Sequence, residues 1–291
     1  MADLAHLILR AEALLDRLAD YLPASDAAID WSALAWRWQV LQGRGHLHAV
    51  PHPHKIQLAD ICNVDAQKAE IVRNTAQFVK GFPANNVLLT GARGTGKSTL
   101  VKALLSEFSK AGLRIIEVDK QDLVALPDIV ALISNRPERF IIFCDDLSFE
   151  ASDPGYKALK VVLDGSISAT SENVLVYATS NRKHLMPEFM AENLETQYVG
   201  EEIRPGETSE EKISLSERFG LWLSFYAFDQ DEYLRVAEHW LAQLGVKDFN
   251  EETRRAALMF SLTRGARSGR VAYQFARDYA GRMALTSQQN L

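Results

Sequence analysis

Gly91-Ala92-Arg93-Gly94-Thr95-Gly96-Lys97-Ser98 matches G-x-x-x-x-G-K-[ST] at every fixed position, and the fold follows from how that stretch is read. Chance would supply such an eight-residue match in roughly one chain in a hundred of this length. The flanks narrow the reading. Val87-Leu88-Leu89-Thr90 before it is a short apolar run of the kind that forms a buried strand. Thr99-Leu100-Val101-Lys102-Ala103-Leu104-Leu105 after it repeats apolar residues at helical spacing. A strand, a glycine-rich turn and a helix together make a phosphate-binding loop.

Each residue type in the loop has a chemical reason. Gly91, Gly94 and Gly96 allow left-handed torsions and close approach of the main chain. Successive N–H groups along Ala92, Arg93 and Thr95 can then converge on phosphate oxygens. The helix that follows, from Thr99 on, adds the positive end of its dipole at the same spot. Lys97 supplies a point charge for the β- and γ-phosphates, and the Ser98 hydroxyl suits Mg²⁺. The expected ligands are ATP or ADP with Mg²⁺.

Downstream, apolar strands alternate with helices. Leu113–Val118 reads as a strand and Leu123–Ser134 as a helix. Phe140-Ile141-Ile142-Phe143-Cys144-Asp145-Asp146 reads as a fully buried parallel strand that delivers acids at its C-terminal end. Asp145 is the candidate Mg²⁺ ligand, directly or through water, and Asp146 the candidate to orient or deprotonate an attacking water. Without the phosphate loop, the same acids would read equally well as caps on the next turn. A helix over Tyr156–Leu163 and a strand over Asn173–Ser180 follow, leaving Asn181 at a strand end. Such alternation predicts an α/β fold with a mostly parallel sheet and a ligand at the C-terminal strand ends.

Ahead of the loop, Leu4, Leu7, Leu14, Leu15, Leu18 and Leu22 form one helical stripe, broken by Pro23-Ala24-Ser25-Asp26. A second helical stretch is expected to carry Ile29, Trp31, Leu34, Trp36 and Trp38, and Gly43–His54, rich in Gly, Pro and His, reads as a linker. Residues 1–50 are thus expected to form an N-terminal helical segment, whose aromatics either pack on the main domain or anchor a partner. His46, His48, His52 and His54 have no interleaved carboxylate or cysteine, so a solvated linker is favoured over a metal site. Ile56 and Ile61, just before a helix over Asp65–Lys80, are candidates to wall an adenine pocket.

The 291 residues are 47% hydrophobic and 24% charged, the composition of a globular chain large enough for a core and an appendage. No apolar run approaches the roughly 18 residues that span a bilayer, so no membrane association is expected. The charged residues among the first 22 do not suit a secretory signal. With only Cys62 and Cys144, the latter inside a strand, the expected setting is cytoplasmic and no disulfide is expected. A net charge of −6 disfavours DNA binding over the whole surface. From Glu251 onward, however, seven arginines stand against three acids. That excess faces either DNA, or nucleotide phosphates and a neighbouring subunit.

Taken in order, Gly91–Ser98, Phe140–Asp146, Val174–Asn181 and Ser214-Leu215-Ser216-Glu217-Arg218-Phe219-Gly220 resemble an AAA+ ATPase. Asn85–Leu100, Cys144–Glu150 and Leu215–Phe225 resemble more closely the DUF815 group of bacterial AAA+ ATP-binding proteins, from about Pro51 onward. The resemblance implies a P-loop NTPase core over 51–226 with a five-stranded sheet, a helical lid over 227–291, and nucleotide between them. It implies that Asn181 is the sensor-1 residue that positions the attacking water. Arg218 would be an arginine finger offered to the nucleotide of the adjacent subunit, in a homo-oligomer that is expected to be a ring. In Gly265–Ala272 the sensor-2 arginine that reaches the γ-phosphate would be Arg270, or else Arg267.

One position departs from the usual AAA+ pattern, Asp146 where most members have glutamate. Being one methylene shorter, it requires a closer water or a shifted loop, and slow turnover is expected; Glu150 is the other candidate base. The leading expectation is therefore an ATPase that remodels an unidentified macromolecule. The alternative is a nucleotide-switched DNA- or protein-binding module related to helicase loaders, with little turnover. A third reading has residues 1–42 recruit a protein client. The acidic stretch from Met186 to Ser214 is either an ordered interface insertion or a mobile loop.

Overall fold

The apolar runs become strands whose alternate residues feed two different layers. The computed structural model describes residues 29–41, 43–149, 153–164, 172–181, 197–199, 202–204 and 215–289. The leucine stripe of residues 1–22, Glu150 and most of the stretch 186–214 lie outside the described residues. The parallel strands are β3 (Val87–Gly91), β4 (Leu113–Glu117), β5 (Arg139–Cys144), β6 (Val174–Ser180) and β9 (Leu221–Phe225), joined by a hairpin of β1 (Ala35–Leu41) and β2 (Arg44–Ala49). A short antiparallel pair, β7 (Gln197–Val199) and β8 (Glu202–Arg204), stands apart. The main sheet runs β2-β1-β4-β5-β6-β3-β9, parallel except between β1 and β2.

On one face, Phe140 and Ile142 of β5 meet α3 (Leu126–Ile133) and α4 (Pro154–Asp164). On the other, Ile141 and Phe143 meet α1 (Asp65–Val79) and α2 (Lys97–Phe108). That double burial is why β5 has no polar residue between Phe140 and Cys144. A buried polar knot fixes α1 to the sheet. Asn74 exchanges hydrogen bonds of 2.9 and 3.0 Å with the main chain of Asn85, and both Asn74 and Thr75 meet the Tyr177 hydroxyl. Burial pushes that phenol up to about 12. The Asn86 side chain accepts from Val176 N–H at 2.8 Å, which sets the entry to β3 against β6.

The last three helices, α5 (Gln230–Gln243), α6 (Glu251–Arg264) and α7 (Gly269–Gln289), bury a cluster of their own around Tyr233, Leu234 and Phe275. Asp229 and Asn250 cap α5 and α6 by accepting main-chain N–H bonds. Gly265, with φ +65°, closes α6 in the left-handed conformation that glycine adopts freely.

Two expectations are corrected here. The sheet has seven strands rather than five, and the extra two lie in the segment expected to be helix and linker. Residues 35–41 are a strand because Trp36 and Trp38, two apart, both point into the α3/α4 face, whereas Arg37 between them is exposed and pairs with Glu117 at 3.1 Å. The glycine-rich stretch that follows supplies the return strand rather than a linker. The Trp38 ring lies over Gly45 so closely that a Cβ there would stand 1.9 Å from it.

Candidate functional site

The C-terminal ends of β3, β5 and β6 gather the predicted residues into one place. Gly91 has φ +120°, and a Cβ on it would stand 1.9 Å from the Phe225 carbonyl oxygen. That oxygen accepts from Ala92 N–H at 3.0 Å, so β9 holds the start of the loop. Thr95 is buried and donates to Ala92 C=O at 2.9 Å, closing the loop on itself. Gly96, at φ +97°, turns the chain into α2. Lys97 is buried and its ammonium donates to Gly91 C=O (2.8 Å), Ala92 C=O (2.7 Å) and Asn181 Oδ1 (3.0 Å). Burial holds Lys97 below the ordinary lysine range, and the negative charges of Asp146 and Asp145 pull it partly back.

The acids sit at the next strand end. Ser98 donates to Asp145 Oδ1 at 2.6 Å, and Thr179 donates to the same oxygen at 2.6 Å. Asp146 N–H donates to Thr179 Oγ1 at 2.8 Å. Asp146 has φ +53°, one of two non-glycine residues with positive φ among those described. Asn181 donates from Nδ2 to Asp146 Oδ1 while its Oδ1 accepts from Lys97, so both ends of the amide are used. A serine hydroxyl paired with a half-buried carboxylate is a hard-oxygen donor set that fits Mg²⁺.

The helical unit reaches the loop through α7. Gly269 N–H donates to Gly94 C=O at 2.8 Å. A Cβ on Gly94, whose φ is +74°, would stand 2.8 Å from Ser268 Cβ and Oγ and 3.7 Å from Arg270 Cβ. Arg270 thus starts beside the loop with an exposed side chain, and Arg267 is exposed one turn earlier. The segment before α1 ties both units together. Ile61 is buried, with Cγ2 3.5 Å from where a Gly96 Cβ would stand, and Ile56 is half-buried against the α1/α2 layer. Asn63 donates to Glu232 C=O at 2.9 Å and accepts from Arg235 at 3.1 Å, and Cys62 packs on the helical cluster. Arg218 is held by an ion pair to Asp164, at the end of α4 of the same chain.

The DUF815 family, described as protein of unknown function, matches residues 31–283. The chain belongs to this family. No curated protein matches. Among solved structures, two variants of Thermotoga maritima RuvB align with this DUF815 chain at 18% and 15% identity and TM-scores of 0.51 and 0.53. They cover 77% and 79% of this chain, which in turn spans 63% and 66% of theirs. A replication initiator, DnaA bound to AMPPCP and single-stranded DNA, aligns at 16% identity and TM-score 0.50, over 77% of this chain and 64% of that one. These likenesses establish the fold as that of the AAA+ ATPases.

Two functional positions of the DUF815 chain are not visible in its sequence, Thr179 at the site and Asp164 beside Arg218. Thr179 shares a strand face with Asn181, two positions later, and the pairing of Cys144 with Ala178 puts it beside Asp145. That i, i+2 relation was the available signal. Asp164 lies 54 residues from Arg218, and no local pattern links them.

Proposed function

We propose that this DUF815 chain binds ATP with Mg²⁺ at the phosphate loop, hydrolyses it, and couples the cycle to remodelling of a macromolecular partner. One observation carries this reading: Lys97, Ser98, Asp145, Asp146 and Asn181, drawn together at the ends of β3, β5 and β6, form one hydrogen-bonded group joined through Thr179. Bound Mg²⁺ would neutralise charge on the phosphate oxygens, with Ser98 and Asp145 as its protein ligands. Lys97 binds the terminal phosphates, exchanging its main-chain acceptors for phosphate oxygens. Asp146 accepts the proton of the attacking water, and Asn181 holds that carboxylate in place. Ile56 and Ile61 flank the base, and Arg270, backed by Arg267, meets the γ-phosphate from a lid that begins near residue 227. The two free thiols suit a cytoplasmic setting.

Arg218 is assigned as the finger for a neighbouring copy in a ring. The test is ATP turnover per chain against protein concentration, with Arg218→Ala alongside. Turnover that rises with concentration and collapses in Arg218→Ala supports the assembly; concentration-independent turnover in both would remove it. The second reading, a nucleotide-switched DNA- or protein-binding module, is favoured by Asp146 standing where a longer acid is usual. The DnaA likeness, to a protein solved with single-stranded DNA, points the same way. Tight ATP binding without turnover, together with salt-sensitive DNA affinity, would select it.

A further inference from the structure

Between the two acids and Asn181 lies a side chain that the reaction above leaves without a role. Thr179 is buried on β6, and its hydroxyl is used in both directions: it donates to Asp145 Oδ1 at 2.6 Å and accepts from Asp146 N–H at 2.8 Å. A hydroxyl has one proton, so these two bonds fix its rotor. Ser98 donates to the same Asp145 oxygen at 2.6 Å, so Oδ1 takes two hydroxyl protons. Asp146 meanwhile sits at φ +53°, a left-handed conformation uncommon among non-glycine residues, although aspartate reaches it more readily than most.

We propose that Thr179 is a positioning residue whose hydroxyl sets both acids at once, orienting the Asp145 carboxylate beside Ser98 and holding the Asp146 turn in its left-handed form. The inference rests on the ATPase reading and deepens it. It also addresses the short acid. A turn locked in this conformation fixes where the shorter aspartate presents its carboxylate. The surrounding main chain is anchored independently, by Leu147 N–H to Thr179 C=O at 2.7 Å and Ser180 Oγ to Leu147 C=O at 2.8 Å. Removing the hydroxyl therefore leaves the strand-to-turn pairing in place.

The test compares the full chain with Thr179→Val, which keeps the shape, Thr179→Ser, which keeps the hydroxyl, and Thr179→Ala as a second hydroxyl-free variant. ATP affinity in EDTA is expected to stay within about threefold of wild type in all of them. In Thr179→Val and Thr179→Ala, turnover falls and the Mg²⁺ concentration for half-maximal turnover rises, each by about 10- to 100-fold, the usual cost of losing an outer partner of a metal ligand. Thr179→Ser restores both. Unchanged Mg²⁺ dependence in the hydroxyl-free variants overturns the proposal. So does a Thr179→Ser variant that loses as much as Thr179→Val with the same drop in Tm. If wild type itself shows no turnover, the ATPase reading fails separately, and the Mg²⁺-dependent tightening of ATP binding then decides. Loss of that tightening in Thr179→Val supports the role of Thr179; equal tightening overturns it.

Discussion

The phosphate end of the site and the side that faces the helical unit, the proposed lid, are held by different amounts of structure. At the phosphate end, β3, β5 and β6 lie side by side in the sheet, and hydrogen bonds among Lys97, Ser98, Asp145, Thr179 and Asn181 cross from strand to strand. On the lid side, one main-chain bond from Gly269 to Gly94 and the close approach of Ser268 bring α7 to the loop. Asn63 and Cys62 attach the segment before α1 to α5 and its cluster. In the proposed ATPase cycle, this contrast would let the sheet preorganise the chemistry and leave motion to the helical unit. It can be broken from either side.

The largest effect is expected on the sheet side. Lys97→Ala should weaken ATP binding and lower turnover by at least about 100-fold, since it removes the cation that meets the phosphates and the donor to Asn181 Oδ1. Isothermal titration and phosphate release check both. On the lid side, Gly94→Ala places a methyl group 2.8 Å from the short, buried Ser268 side chain in a left-handed backbone. It should weaken ATP affinity by about tenfold, the equivalent of the roughly 1–2 kcal/mol that the conformation costs an L-residue. An unchanged affinity would mean that the lid does not close on the loop through this contact.

Cys62 offers a native reporter for the same contrast. Burial holds its thiol above the ordinary range, and it packs on the lid cluster, so alkylation should be slow and should still be accelerating with pH in mildly alkaline buffer. Labelling should speed up several-fold in Gly94→Ala, read by mass spectrometry. Cys144 is fully buried, with its thiol pushed up to about 12, and should stay unlabelled until the chain unfolds. Tyr177→Phe is the smallest change. It removes the hydroxyl that Asn74 and Thr75 share and should cost about 1 kcal/mol of stability in denaturant, with ATP affinity unchanged.

What the sequence displays of this molecule follows from how local each feature is. The phosphate loop, the acidic strand end and Asn181 are legible because a few adjacent residues of the right type define them. The hairpin is not. Ile29, Trp31, Leu34 and Trp38 fit helical spacing as well as Trp36, Trp38 and Val40 fit a strand. What decides between them is the cover of Trp38 over Gly45 in the hairpin and, far along the chain, the pairing of β1 with β4. The left-handed turn at Asp146 is equally hidden, because nothing in Cys144-Asp145-Asp146-Leu147 forces a positive φ. The contact proposed to hold it comes from Thr179 on the neighbouring strand β6. Arg218 is visible as a residue type, but its ion pair with Asp164 depends on how α4 packs.

The central claim is that the joined ends of β3, β5 and β6 form a centre for ATP hydrolysis. Its most direct test is a single-turnover measurement of phosphate release from Mg²⁺-ATP, with wild type and Asp146→Asn at matched nucleotide occupancy. Hydrolysis at this centre requires release by wild type and a fall of about 100-fold or more in Asp146→Asn, with ATP still bound. Equal release from both, or none from wild type while ATP is held tightly, would contradict it.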